Sequence, residues 1–509
     1  MRREVSTGSG SDRVARTMIV AKIETRSLPL PVLTSFHIET FLLPGLSRGR
    51  GKLEVNNLHM NEIIVIGGGL AGVEAAWQAA NTGARVRLHE MRPMQKTPAH
   101  RTDKLAEIVC SNSLKSDEPG TASYLLKEEL RRGGSLVMQA AAATRVPAGA
   151  ALAVDRAQFA EYVTDKIESH SQIELVRKEL TQIPRDVITI VATGPLTSDS
   201  LTADIIELTD DDQLYFYDAI APIVAADSVD HSIAFRAARY GKGGDDYLNC
   251  PLNEVEYAQF YQALVEANSV PLQRFEETRW FEACLPIEEL ARRGVDTLRY
   301  GPMKPVGLIN PYTGEQPYAA VQLRQENLMA DAYSLVGFQN HLRYGEQAHV
   351  LRMVPGLERA EFLQFGQIHR NTYINAPRTL AATMQMREHP NIFFAGQITG
   401  VEGYVESVAM GWLAGLNAAR LLKSEELLRV PPRSAIGSLA RYVSSAETKN
   451  YQPVNITFAL LEPLTAEQAR GVKRKRDRHA LQVKLALAEW DQWLENICLD
   501  AEPAFAPAP

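Results

Sequence analysis

Ile63-Ile64-Val65-Ile66-Gly67-Gly68-Gly69-Leu70-Ala71-Gly72 is the stretch on which the fold turns. Its four apolar β-branched residues predict a buried parallel strand, and the Gly-x-Gly-x-x-Gly spacing predicts a tight turn into a helix over 70–81. Arg85–His89 reads as the next strand, with Glu90 at its end. That is where, roughly 20 residues past such a turn, an acid accepts from ribose hydroxyls. Gly67 makes the turn, Gly69 lets backbone approach a pyrophosphate, and Gly72 lets helix and strand pack closely. Gly68, Leu70 and Ala71 complete a cradle in which the helix N-terminus faces the diphosphate.

Strand-like and helix-like segments alternate from Met60 onward, which makes this an α/β chain with a parallel sheet. Two later apolar strands, Val187–Ala192 running into Gly194 and Ile392–Ala395 running into Gly396, resemble the later contact segments of two-dinucleotide-binding flavoproteins. The resemblance implies FAD, with Gly194 and Gly396 as further contacts and the turn and helix from Gly400 to Gly415 near the flavin. Between those strands lies a stretch long enough for a separate domain. We therefore expect a Rossmann-like FAD-binding domain made of residues 60–200 and 345–430, with an α+β substrate domain, 201–344, inserted into it. Residues 431–509 should be a C-terminal helical segment and a frayed tail. Within it Thr465–Cys498 reads as helix, with an apolar stripe of Leu481, Leu485, Leu487, Trp490 and Trp493.

Composition sets the outer bounds. A chain of 509 residues, 45% hydrophobic and 23% charged, is globular and too long for one core. The net charge of −7 excludes a polycationic coat, so a nucleic-acid partner needs a local basic patch. Arg292, Arg293, Arg299, Arg343 and the Lys473–Arg478 run are candidates, each taken singly no better than a solvated charged face. No apolar run approaches the ~20 residues that cross a bilayer, so no membrane association is expected. Residues 1–59 read as an N-terminal extension, disordered or not translated, with Met60 as an alternative start. Glu4, Asp12, Glu24, Glu39 and Glu54 weaken a transit-peptide reading.

Four cysteines, at positions 110, 250, 284 and 498, give neither a disulfide framework nor metal-type spacing, which suits a cytoplasmic protein without a metal. Cys110 stands in a polar loop near Lys115, a setting that depresses a thiol pKa. Cys284 precedes Pro286, Glu288 and Glu289, which predict a helix's first turn and a favourable dipole for a thiolate. Cys250 also precedes a proline and a helical stretch, so spacing does not rank it below Cys284. Cys498, beside the apolar stripe, reads as packing.

Several longer strings are more specific than any glycine pattern. They are Val65–Gly72, Cys110–Ser116, Ala283–Glu289, Arg299–Leu308, Gln367–Tyr373 and Ala395–Gln397 through Gly403–Ser407. Together they resemble the folate- and FAD-dependent tRNA (uracil-5-)-methyltransferase family, TrmFO, from about Met60 to about Trp490. The resemblance implies an NAD(P)H-oxidising enzyme that takes a methylene from methylenetetrahydrofolate onto FAD and delivers it to C5 of the T-loop uridine at position 54 of tRNA. It implies NADH or NADPH as reductant, no obligate protein partner, and Cys110 and Cys284 as the catalytic pair. Cys284 is assigned as C6 nucleophile and Cys110 as base, with the reverse order open. The rival readings are the same chemistry on a ribosomal RNA uridine, a plain NAD(P)H-dependent flavin oxidoreductase, and a non-catalytic RNA-binding flavoprotein.

Overall fold

The structure, a computed structural model, describes residues 62–97, 99–210, 214–241, 244–271, 280 and 285–499. Residues 1–59, Cys284 and the end of the C-terminal tail lie outside them, as does the side chain of Cys498. Among the described residues a five-stranded parallel sheet runs in the order Ile392–Phe394, Ile188–Val191, Glu62–Ile66, Arg85–His89, Ile173–Val176. Near-continuous apolar strands are what a parallel sheet covered on both faces demands. Accordingly Ile63, Val65, Ile190, Phe393 and Phe394 are fully buried. The fold is α/β and Rossmann-like, with helix Leu70–Asn81 following the glycine turn.

Helix Tyr404–Leu422 crosses helix Leu70–Asn81 at backbone contact. A Cβ on Gly411 would stand 2.2 Å from the Ala71 carbonyl oxygen, and one on Gly415 would stand 2.4 Å from that of Ala75. Only hydrogen fits at these two positions.

A second, antiparallel sheet is built from chain lying between strands Ile188–Val191 and Ile392–Phe394. Its order is Phe235–Arg236, Tyr247–Leu252, Ala319–Gln325, Ala332–Leu335, Ile223–Ala225, Phe362–Gln364. It shares a separate hydrophobic core with helices Glu254–Glu266 and Ile287–Arg292, including Phe260, Leu264, Ile287 and Phe338. This is the inserted α+β part of the fold. Its last strand, and core residues such as Val350 and Leu357, lie past residue 344. A two-stranded antiparallel ribbon, Leu214–Ala219 with Ile368–Tyr373, pairs chain from before and after it.

The C-terminal helix differs from the sequence reading at its start. It spans Lys475–Leu499, and Gly471, with φ at +81°, ends any helical continuity from Thr465. Cys250 also differs. It sits inside strand Tyr247–Leu252 opposite Val321, and the following helix starts one residue after the strand with a capping box at Asn253. Of the expected stripe, Leu487, Trp490 and Trp493 pack on the core with Val483 and Ala486, while Leu481 and Leu485 are not part of that cluster. Trp490 is fully buried, donates from Nε1 to the Glu129 carbonyl at 3.1 Å, and lies 5.5 Å from the Trp412 ring. No helix among the described residues is long and apolar enough to cross a membrane.

Overfilling a tight helix crossing costs about 1–3 kcal/mol. Gly411→Ala and Gly415→Ala are each expected to lower the melting temperature by several degrees, read by thermal unfolding, while Gly69→Ala, which meets open space, should melt like the parent.

Candidate active site

The glycine turn closes as its residues require. Gly67, at φ +106°, donates to the His89 carbonyl at 2.8 Å, and a Cβ on it would strike the Ala192 oxygen at 2.6 Å. A Cβ on Gly72 would lie 1.8 Å from the Gly67 oxygen, whereas Gly69 has nothing within 4 Å. The space above Gly69 is the floor of a cleft lined by Gly67, Gly68, Gly69, Leu70, Ala71, Glu90 and Gly194. Gly72 and Gly396 do not line it. Gly72 packs beneath the turn, and Gly396, at φ +81°, sits where a Cβ would meet Ala71 Cβ at 2.7 Å.

Glu90 is held by several bonds. Its Oε2 accepts from Gly68 N–H at 2.9 Å, and its Oε1 accepts from both the backbone N–H and Nε of Arg92 at 2.9 Å. Burial pushes this carboxyl up, but Arg92 and the backbone donors outweigh it and hold it below the usual range. An ionised acceptor facing a glycine turn at a helix N-terminus fits the ribose and pyrophosphate of a dinucleotide.

The cleft runs into a second cavity, with Val109, Pro195, Leu196, Gln397 and Tyr404 common to both linings. Cys110 lines it. The Tyr404 hydroxyl accepts from the N–H groups of Cys110 at 2.9 Å and Ser111 at 3.2 Å. Arg156 donates to the Cys110 carbonyl at 2.8 Å and to that of Ile108 at 2.6 Å. Asn112 donates to the carbonyls of Val154 at 3.0 Å and Gln325 at 2.9 Å. The loop is thus tied to helix Tyr404–Leu422, helix Arg156–Glu168 and strand Ala319–Gln325 at once.

The same cavity holds groups that the sequence did not single out as site residues. The ribbon sets Asp218 directly opposite His369, and both line the cavity with Asn371. Asn371 hydrogen-bonds Asp218 through its side chain, while His369 Nε2 is buried without a hydrogen-bond partner among the described residues, a state compatible with a polar ligand or water entering beside it. Glu402 and Arg324 complete the wall. His369, Asn371 and Glu402 fall inside strings already quoted. Asp218 and Arg324 carry no local signal, since only the fold brings their strands to Cys110.

Burial pushes the Cys110 thiol up to about 12, with Asp218 and Glu402 adding to the rise and Arg156 and Arg324 opposing it. The depressed thiol expected from Lys115 is therefore not found. Lys115 Nζ is bound to Glu406 Oε1 at 2.8 Å and Asn455 Oδ1 at 2.9 Å, so its charge is already paired. Burial also raises Asp218 to about 6 and Glu402 to about 8.

Cys250 is fully buried and its thiol is pushed far up by burial, which leaves it a core residue. Of the residues flanking Cys284, Trp280 bridges to Tyr217, next to Asp218, and Ile287 N–H donates to the carbonyl of Gln339, a lining residue, at 2.7 Å. Arg292 pairs with Glu289, while Arg299 stacks 4.2 Å over the Tyr318 ring. Arg293 and Arg343 are exposed, as are all six residues from Lys473 to Arg478. No cluster of three or more metal-ligating side chains occurs among the described residues.

Comparison with known proteins identifies the surroundings of this geometry. The family model "Glucose inhibited division protein A" matches residues 62–426. A methylenetetrahydrofolate–tRNA-(uracil-5-)-methyltransferase TrmFO from Koribacter versatilis is 57% identical over 434 residues, covering 85% of this chain and 98% of its own. The chain belongs to the TrmFO family. Other TrmFO proteins agree, at 57% identity over 440 residues in Solibacter usitatus and 54% over 436 in Geobacter sulfurreducens, each covering 86% of this chain and 99% of its own. Among solved structures, Aquifex aeolicus GidA superposes with a TM-score of 0.61 at 17% identity over 86% of this chain and 76% of its own, a likeness of fold. The glycine turn and the Cys110 loop both lie inside the stretch that the family model matches.

A carboxyl whose folded pKa is raised costs nothing below its unfolded value near 4.5 and its full penalty above about 8. Glu402→Gln removes that penalty. It is expected to melt above the parent at pH 8.5, with the difference shrinking as pH falls and vanishing near pH 4.5. An unchanged difference across a thermal-melt pH series contradicts the buried carboxyl.

Proposed function

We propose that this protein transfers a one-carbon unit from methylenetetrahydrofolate to C5 of a uridine in tRNA, the T-loop uridine at position 54, with FAD as carrier and NADH or NADPH as reductant. The observation that carries this is the continuity of two cavities, one shaped for a dinucleotide and one holding a cysteine among titratable groups. Family membership supplies the substrates. The relatives' names specify a folate donor, a tRNA acceptor and the uracil C5 position.

Gly67–Ala71, Glu90 and Gly194 would hold FAD, with Gly72 and Gly396 shaping the backbone behind it. The isoalloxazine, when bound, supplies the redox chemistry of the transfer. Residues 60–200 and 345–430 act as the nucleotide-holding part and 201–344 as the substrate part, except that strand Phe362–Gln364 and core residues Val350 and Leu357 join the substrate part, with the uridine extruded from its loop into the Cys110 cavity.

Uracil C5 is a poor nucleophile until a thiolate adds to C6, after which a base must remove the C5 proton. Cys284 is assigned the addition and Cys110 the deprotonation. Cys110 lines the cavity together with Asp218 and Glu402, which supports a proton-transfer role for it, although its thiol, pushed up to about 12 by burial, must first give up its own proton to act as a base. Tyr404 and Arg156 position it, and Asp218 and Glu402 exchange its proton onward. The reaction needs no metal and no protein partner, and we assign it to the cytoplasm. The Lys473–Arg478 run, exposed at the start of the C-terminal helix, is the surface best suited to tRNA phosphates.

Purified protein is expected to carry a yellow flavin spectrum and to transfer label from methylenetetrahydrofolate to a tRNA transcript. It should transfer none to a transcript whose T-loop uridine is replaced, and none to a ribosomal RNA transcript. Label in the replaced transcript would refute the position. Cys110→Ala should retain flavin and tRNA binding but lose methylation. Replacing Lys473, Arg474 and Arg476 with alanine should reduce the salt slope of tRNA binding by about one for each phosphate no longer neutralised. An unchanged slope assigns the RNA surface elsewhere.

A further inference from the structure

Arg324 is more than nine-tenths buried, at 8% exposure, and stands in the wall of the Cys110 cavity. Its Nε donates to Asn112 Oδ1 at 2.7 Å, and its Nη2 donates to Ser111 Oγ at 2.7 Å and Ser334 Oγ at 3.4 Å. These partners are all neutral. The acid two residues on, Glu326, is paired with Arg156, and Arg324 makes no ion pair among the described residues. Nor does its Nη1 have a hydrogen-bond partner there. A guanidinium buried without a carboxylate in contact is costly, and the cost is offset once negative charge enters beside it.

We propose that Arg324 is a catalytic residue that stabilises the negative charge developing on O4 of the bound uracil. The inference rests on the function proposed above. When a thiolate adds to C6, its electron pair forms the S–C6 bond. The C5=C6 π pair becomes the C4=C5 bond, and the C4=O4 π pair moves onto O4 as an enolate. The enolate then gives its pair to the incoming one-carbon unit at C5. Loss of the C5 proton to the base regenerates it, so charge appears on O4 twice in one turnover.

The placement of Arg324 suits that oxygen. Its two shortest bonded contacts are Ser111 and Asn112, the two residues directly after Cys110, so guanidinium and sulfur serve the same loop. In uracil C4 is bonded to C5 and O4 to C4, so a ring that presents its C5 proton to Cys110 carries O4 two bonds from that carbon. A preorganised cationic donor in the wall of a cavity is the standard electrostatic device for such an oxyanion.

The test uses the flavin-loaded holoenzyme and tRNA whose target uridine is either normal or 4-thiouridine, in which sulfur replaces O4. Arg324→Gln is expected to lower kcat by about 10²–10³-fold with flavin content unchanged. In the parent the oxygen-to-sulfur change should slow turnover further, and in the variant that extra loss should disappear. A merely structural arginine gives two independent penalties that multiply, and that result overturns the proposal, as does wild-type turnover in Arg324→Gln. Arg324→Lys keeps the charge and carries the same comparison if the glutamine variant does not fold. A parent that methylates no uridine overturns the function itself and this inference with it. An active parent without the coupling sinks only the role of Arg324.

Discussion

Two hydrogens, those of Gly411 and Gly415, set the distance on which the molecule depends. They let helix Tyr404–Leu422 lie against the backbone of Ala71 and Ala75, the first turns of the helix that the glycine turn opens. A side chain there would lift one helix off the other. The dinucleotide cleft and the N-terminal end of helix Tyr404–Leu422 would then separate, and Tyr404 is the residue whose hydroxyl receives the N–H groups of Cys110 and Ser111. One close crossing therefore sets the width of the cleft and the position of the sulfur beside it.

Inside the cavity burial outweighs charge. Two arginines lie near Cys110, yet its thiol is still pushed up to about 12, because desolvation of a thiolate among packed protein groups exceeds what partly engaged guanidinium groups return. Arg156 is neutralised by Glu326 and Lys115 by Glu406. Arg324 alone among these cations has no acid in contact among the described residues. The carboxyls that face the sulfur, Asp218 and Glu402, are themselves raised by burial. Burial thus favours the protonated form of all three groups, which suits the proposed reaction, since it turns on one proton at carbon.

The ribbon Leu214–Ala219 with Ile368–Tyr373 explains how chain on either side of the second sheet supplies this wall. Antiparallel pairing places Asp218 across from His369, and alternation puts Asn371 on the same face. Asn371 bonds Asp218, and His369 Nε2, without a partner among the described residues, is best accommodated where something polar enters.

Much of this was legible in residues 63–90. A run of β-branched residues, glycines at set intervals and an acid at the next strand's end encode local geometry, and local geometry survives folding because backbone sterics and hydrogen bonding dictate it. The helix over 70–81 and the strand Arg85–His89 stand where the pattern put them. What lay beyond the sequence were relations between distant segments. Lys115 is near Cys110 in the chain but bound to Glu406, 291 positions away. Cys250 has the same neighbours as a reactive cysteine, yet a strand partner buries it. Asp218 and Arg324 have no pattern around them at all. Whether a charge is paired, or a sulfur solvated, depends on which groups the tertiary fold packs against it, and that was decided by the three-dimensional structure alone.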